Sequence, residues 1–303
     1  MPAAKGSRWV EMVRRQVPGS VRLLVGVWAG VLGLAVALTG AWLLRSPGMN
    51  DQVAVAEPSE SELRVVGKTT VLFGHNSVGM NILDGVAKVY ADAAVPAPAI
   101  ADVSGVDVAD GAGAGEPGNA SLRHAYIGVN EDPLSKLAAF TELMDGAAGE
   151  DVDVALMKLC YVDITAATDV QAVFDAYAST MAEVEAAHPD VRLLYTTVPL
   201  TADRNWKSKV KAAVGRDDEM GPADNVARER YNAMIREKYA ATGRLVDIAA
   251  AEAEGTGERR QDGRPYYVLN ENLTYDRGHL NEAGSTAVAA ELLKIVAAYS
   301  PVA

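Results

Sequence analysis

The chain predicts a three-layer α/β/α sandwich built on a parallel sheet and preceded by a single N-terminal transmembrane helix. Three observations point there. Beyond Leu63, short apolar or β-branched runs alternate with longer helix-like stretches, the pattern of parallel strands joined by helices that cover both faces of a sheet. Of the 303 residues 49% are apolar and 22% charged, which excludes collagen-like, low-complexity and wholly disordered chains. Finally, Leu23 to Leu44 runs 22 residues without a charge, about 33 Å of helix, enough to span a bilayer core.

The elements follow in order. Residues 1–22 form a basic N-terminus, 23–44 the apolar helix with Trp28 and Trp42 near its ends, and 45–62 a linker rich in Pro, Ser and acids; the folded domain occupies 63–303. Expected strands are Thr69–Phe73, Ala99–Val103, Val152–Leu159, Arg192–Val198 and Arg244–Ile248, each a short β-branched or apolar run. Expected helices are Asn81–Ala93, Pro133–Met144, Asp169–Ala187, Asp224–Ala241 and Glu282–Ala298. Local chemistry marks several ends: Pro133 suits a first helical turn behind Asp132, Gly243 follows a helix end, and Asn281 caps the last helix.

Charge sets the compartment and narrows the partners. Residues 1–50 hold six Lys/Arg against the single acid Glu11, so of the total charge of −12 they carry +5 and the rest of the chain −17. A body that acidic repels nucleic-acid phosphates and anionic headgroups, because binding either requires Lys and Arg. Five of the basic residues precede the apolar run, which places the N-terminus in the cytoplasm and the folded body outside, held to the membrane by the helix. Secretion after cleavage near Ala54-Val55-Ala56 is the alternative; the site lies twelve residues beyond the run, and the run exceeds a signal h-region of about 7–15 residues, which favours a retained anchor. The single cysteine, Cys160, excludes an intramolecular disulfide and sits in an apolar run as a buried thiol. Gly113 to Gly118 matches the dinucleotide fingerprint only formally, being distant from a strand and interrupted by Pro117. The basic patch from Arg204 to Arg216 reads as a solvated helix face.

Two segments carry chemistry. The first strand runs into Phe73-Gly74-His75-Asn76-Ser77-Val78-Gly79, setting a serine at a strand-to-helix turn, where ligands bind in parallel sheets. There Ser77 is either a nucleophile or a plain N-cap. Near the C-terminus, Asp276 and His279 stand three apart before the last helix. A serine hydroxyl needs a base to take its proton, and a carboxylate fixes the imidazole tautomer of that base. Taken alone, the pair fits a surface contact equally well.

Together these segments resemble the SGNH/GDSL hydrolases, whose last block reads Asp-x-x-His-Leu-Asn-x-x-Gly; Asp276, His279, Leu280, Asn281 and Gly284 match it. The resemblance implies a flavodoxin-like fold, with Ser77 as nucleophile, His279 as general base and then acid, and Asp276 orienting His279. The first block departs, with Asn76 where the family has an acid, and so does the third, where Asp163 falls at the amide donor of Gly-x-Asn-Asp. An ionised carboxylate repels an oxyanion, so the donor is sought among the Ser77 N–H, Asn76, Asn130, Tyr161 and Lys158, with Lys158 alternatively paired to Asp163. Gly105 is the expected second-block glycine. His75 is expected to be a satisfied structural histidine, His188 a helix-end residue, and His124 a member of a polar loop with Asn119, Ser121, Arg123, Tyr126 and Asn130.

The resulting expectation is an esterase that cleaves an acyl ester of a small molecule, glycan or lipid through an acyl-enzyme, needing no metal or organic cofactor. An O-acyltransferase with the same triad, and a non-catalytic binding domain without an oxyanion donor, are the rival readings.

Overall fold

The computed structural model describes residues 57–105, 121–204, 207, 209–210, 214–215 and 220–301. The apolar segment Leu23–Leu44, the Ala54–Ala56 motif, the glycine run at 113–118 and most of the Arg204–Arg216 patch lie outside them. Among the described residues no helix is long and apolar enough to cross a membrane.

The domain starts earlier than the polar composition of its first residues suggests. Ser59-Glu60-Ser61-Glu62 is a capping box: the Ser59 side chain accepts from the Glu62 N–H while the Glu62 carboxylate takes the Ser59 N–H. It opens helix α1 (Glu60–Val66), which buries Leu63 and Val66, so the last residues of the expected linker belong to the folded body.

A six-stranded sheet follows. In chain order its strands are β1 (Val71–His75), β2 (Ala99–Asp102), β3 (Ser121–Tyr126), β4 (Val154–Met157), β5 (Arg192–Thr196) and β6 (Leu245–Val246). Spatially the order is β2-β3-β1-β4-β5-β6, with every pairing parallel. The covering helices are α2 (Val78–Asp92), α3 (Pro133–Asp145), α4 (Val170–Ala187), α5 (Pro222–Tyr239), a short α6 (Ile248–Ala253) and α7 (Glu282–Tyr299). The antiparallel hairpin β7 (Arg259–Gln261) and β8 (Arg264–Tyr266) stands apart from the sheet.

Alternation along β1 divides the core. Val71 and Phe73 join the apolar cluster beneath α1, α2, α6 and α7, whereas Leu72 joins the one beneath α3, α4 and α5. Each fully buried side chain of this kind contributes about 1.5–3 kcal/mol. On the first face α2 and α7 touch backbone to backbone: a Cβ on Gly85 would overlap the Ser285 carbonyl. That contact lays the helix opened by Ser77 against the helix that follows His279.

β3 corrects an expectation. Ser121–Tyr126 is a strand between β2 and β1, with Leu122 and His124 buried, rather than a polar loop. Its Arg and His interrupt the apolar run by which a buried parallel strand is recognised.

Candidate active site

β1 ends at His75, and the chain turns through Asn76 and Ser77 into α2. Ser77 adopts φ 24° and ψ −87°, a left-handed conformation that strains a residue with a Cβ. It occupies the N-cap position, yet its side chain makes no capping hydrogen bond, so the N-cap alternative does not account for the hydroxyl. Two contacts hold this turn. Asn76 Nδ2 donates to the Ile127 carbonyl at 2.7 Å, and the Ile127 N–H donates to the His75 carbonyl at 3.1 Å. The His75 ring fills the space left by Gly79, where a Cβ would overlap it. His75 is fully buried, with Nε2 3.2 Å from His124 Nδ1. Burial, reinforced by the Lys158 charge, pushes its pKa down to about 3, so the His75 ring is a neutral structural element, but it is satisfied only in part: its buried Nδ1 has no hydrogen-bond partner among the described residues.

The second half of the site lies before α7. His279 Nδ1 is 2.7 Å from Asp276 Oδ2, while Asp276 Oδ1 accepts the N–H groups of His279 at 2.7 Å and Gly278 at 3.0 Å. Partial burial raises the Asp276 pKa, but these donors outweigh it and hold the carboxyl below its ordinary value. The imidazole sits between two tyrosines: the Tyr161 ring is edge-on with centroids 6.0 Å apart, and Tyr275 stacks at 6.0 Å. Gly278 is required beneath it, since a Cβ there would press on the Tyr161 ring at 2.8 Å. The loop is tied to both neighbouring elements. Leu280 N–H donates to Asn81 Oδ1 at 3.3 Å, one helical turn beyond Ser77, and Ala202 N–H donates to the Arg277 carbonyl at 2.8 Å. Neither the Ser77 hydroxyl nor His279 Nε2 has a hydrogen-bond partner among the described residues, and the two are not bonded to each other.

The expected oxyanion residues divide. Asp163 is 2% exposed and engaged by Lys136, whose Nζ lies 2.6 Å from its Oδ2, with both side chains fully buried. It also accepts the Cys160 N–H at 2.5 Å and the Glu131 N–H at 2.9 Å. Its carboxylate is therefore a structural anchor rather than an oxyanion group. Lys158 does not pair with it; the buried Lys158 Nζ contacts Cys160 Sγ at 3.5 Å, and Lys136 takes the acid. Asn130 is exposed, with Oδ1 accepting from Lys136 Nζ at 2.9 Å, which leaves its NH₂ group as donor. Asn76 directs its amide to Ile127 as described. Tyr161 is 7% exposed, and burial, aided by the Asp276 charge, raises its hydroxyl pKa to about 12, so it remains an O–H. Gly105 lies three residues beyond the end of the edge strand β2, itself two strands away from β1; the glycine that follows β3, one of the two strands flanking β1, is Gly128, at φ 52°.

Sequence reasoning missed Lys136, whose position inside an amphipathic helix reads as surface. It also passed over Gly128-Val129-Asn130-Glu131, which differs from Gly-x-Asn-Asp by one carboxylate for another and carries the exposed amide. His188, at the C-cap of α4, meets Asp145 at 2.9 Å, in keeping with a helix-end role.

No family model matches the chain, and no curated protein matches it. Among solved structures it is similar to a lipase/acylhydrolase from Enterococcus faecalis, with 12% identity, TM-score 0.45, and coverage of 78% of this chain and 98% of that one. A carbohydrate esterase family 3 structure from Talaromyces cellulolyticus gives 12% identity, TM-score 0.42 and coverage of 74% and 93%. The periplasmic domain of a lipopolysaccharide acetyltransferase from Salmonella ser. Paratyphi A gives 11% identity, TM-score 0.40 and coverage of 79% and 89%. The parallel α/β body, the serine opening the helix after its first strand and the Asp-x-x-His pair before its last helix define the class of protein that this chain resembles. That class is the SGNH/GDSL hydrolases.

Proposed function

We propose that the chain is a membrane-tethered, outward-facing serine esterase, with Ser77 as nucleophile, His279 as general base and acid, and Asp276 as the group that orients His279. The observation that carries this reading is the 2.7 Å Asp276–His279 pair on a loop hydrogen-bonded to the helix that Ser77 opens. Asp276 on Nδ1 leaves Nε2 as the base. His279 Nε2 takes the Ser77 proton as Oγ attacks the ester carbonyl, then returns it to the leaving alcohol; water, deprotonated in turn by His279, releases the acid. The oxyanion is received by the Ser77 N–H, at the open end of α2, and by the Asn130 NH₂. The engagement of Asp163 by Lys136 supports this reading over that of a non-catalytic domain.

Labelling the full chain with a fluorophosphonate and locating the adduct by mass spectrometry tests the reading: modification of Ser77, lost in His279→Ala, is expected. A folded protein that neither labels nor hydrolyses p-nitrophenyl acetate overturns it. Asn130→Ala lowers kcat by about 10²–10³ if this amide serves the oxyanion. The tether is tested by membrane fractionation combined with protease accessibility of the body in intact cells.

A further inference from the structure

Beside His279, and outside the residues assigned to catalysis, lies a groove of about 530 Å³ between α2 and the start of α7, lined in part by Asn81, Asp84, Lys88, Tyr275, Leu280 and Glu282. We infer that this groove is the subsite for the alcohol portion of the ester and that it takes a pyranose sugar. The inference rests on the serine-esterase reading and adds the substrate class.

Position gives the first argument. His279 returns a proton to the leaving alcohol, so that alcohol lies on the imidazole side of the scissile bond. The groove starts on that side: Tyr275 stacks on the His279 ring, and Leu280 follows it in the chain. The lining gives the second. A sugar presents hydroxyls that both donate and accept, together with a flat C–H face. Asp84 and Glu282 provide carboxylate acceptors; donors come from the Asn81 amide, whose Oδ1 already accepts from Leu280, and from the third N–H of the Lys88 ammonium, which bonds both carboxylate oxygens of Asp92 at 2.5 Å. Tyr275, 67% exposed, supplies a flat aromatic surface. A lipid chain finds less here, because the one aliphatic side chain of the lining among the described residues, Leu280, is 2% exposed, and binding an alkyl chain depends on apolar area removed from water.

The test compares two unactivated acetates on the full-length protein: O-acetylated methyl pyranosides and isopropyl acetate. The expected kcat/KM ratio is about 100 in favour of the sugar, since a site built for hydroxyls discriminates against an alcohol without them. Tyr275→Ala should lower the ratio about tenfold and Tyr275→Trp should preserve it, as expected for a flat ring; replacing both Asp84 and Glu282 by Ala should lower it comparably. A ratio near one, or a ratio unmoved by Tyr275→Ala and by the double variant, overturns the inference. Fluorophosphonate labelling separates the two claims. Labelled protein with a flat ratio removes the sugar subsite and keeps the esterase. Unlabelled protein that binds the acetylated pyranosides in saturation-transfer NMR, with the signal lost in Tyr275→Ala, keeps the subsite and removes the esterase; unlabelled protein without that signal removes both.

Discussion

Asp163→Asn is the substitution that restores the usual amide of the family's third block, so it separates sequence alignment from structure. If Asp163 lay in the oxyanion pocket, the change would exchange repulsion for a hydrogen bond and accelerate the reaction. The structure requires the opposite. Asp163 and Lys136 are both fully buried with 2.6 Å between charges, and the carboxylate also accepts from Cys160 and Glu131 at 2.5 and 2.9 Å. An asparagine keeps one acceptor but leaves the ammonium unneutralised. Breaking one side of a buried pair costs about 3–5 kcal/mol; the retained acceptor puts the expected loss near the lower end, about 3 kcal/mol. Urea unfolding followed by circular dichroism measures it, with p-nitrophenyl acetate turnover recorded in parallel. Because Lys136 also holds Asn130, kcat should fall rather than rise. Adding Lys136→Met, which removes the stranded charge, should recover part of the stability. A loss under about 1 kcal/mol combined with faster turnover would refute the assignment of Asp163 to the anchor.

Three other substitutions test separate links. Asp276→Asn should lower kcat about 10⁴-fold by permitting the wrong imidazole tautomer, measured on p-nitrophenyl acetate; a fall of less than about tenfold would remove Asp276 from the mechanism. Gly79→Ala should destabilise by about 1–3 kcal/mol in urea unfolding, because its Cβ overlaps the His75 ring, reversing the sign expected from a helix propensity gain of about 1 kcal/mol. Glu252 is fully buried, with Oε2 accepting the Leu200 N–H at 2.6 Å and Oε1 without a partner. Burial raises its pKa to about 8, so the folded state holds a proton that the unfolded state releases, and stability falls as pH rises from the ordinary carboxylate range to about 8, by up to about 1.4 kcal/mol per pH unit. Glu252→Gln should flatten that decline in thermal melts from pH 5 to 9; parallel curves would refute it.

The sequence reveals the fold where side chains obey one periodicity. β1, β4 and β5 are apolar on both faces, and Asp132 and Asn281 stand at the helix starts the sequence marks, each with an N-cap side-chain bond. It hides the fold where buried polar groups satisfy one another across long separations. β3 carries a histidine that is buried only because His75, 49 residues earlier, meets it, and Lys136 reads as solvent-facing because its acid lies 27 residues later. The same limit governs the site. Asp276 and His279 are legible as a pair because three residues separate them, whereas the anchoring of Asp163 depends on a partner on another element, and Gly105 follows a strand that is separated from β1 by one the pattern does not announce.

The strain in this site leaves the Ser77 hydroxyl and His279 Nε2 unencumbered. Ser77 and Arg277 both hold positive φ without being glycine, at 24° and 84°, and such residues cost about 1–3 kcal/mol each unless their surroundings over-determine them. Here the surroundings do so through the backbone. Asn76 and His75 bind the two sides of Ile127; Arg277 receives a hydrogen bond from Ala202 and donates its N–H to Thr274 Oγ1 at 2.9 Å. Behind the second loop, the buried Arg228 donates Nε to the Tyr161 carbonyl at 2.9 Å and Nη1 to Thr201 Oγ1 at 3.0 Å. It thereby fixes both the tyrosine that packs on Gly278 and the segment that holds Arg277. Every one of these bonds ends on a group other than the Ser77 hydroxyl or His279 Nε2. In the proposed reaction, a serine that served as an N-cap, or an imidazole bonded through both nitrogens, would have to break a hydrogen bond before each turnover; a backbone held in strain by its neighbours would position the same atoms without that step.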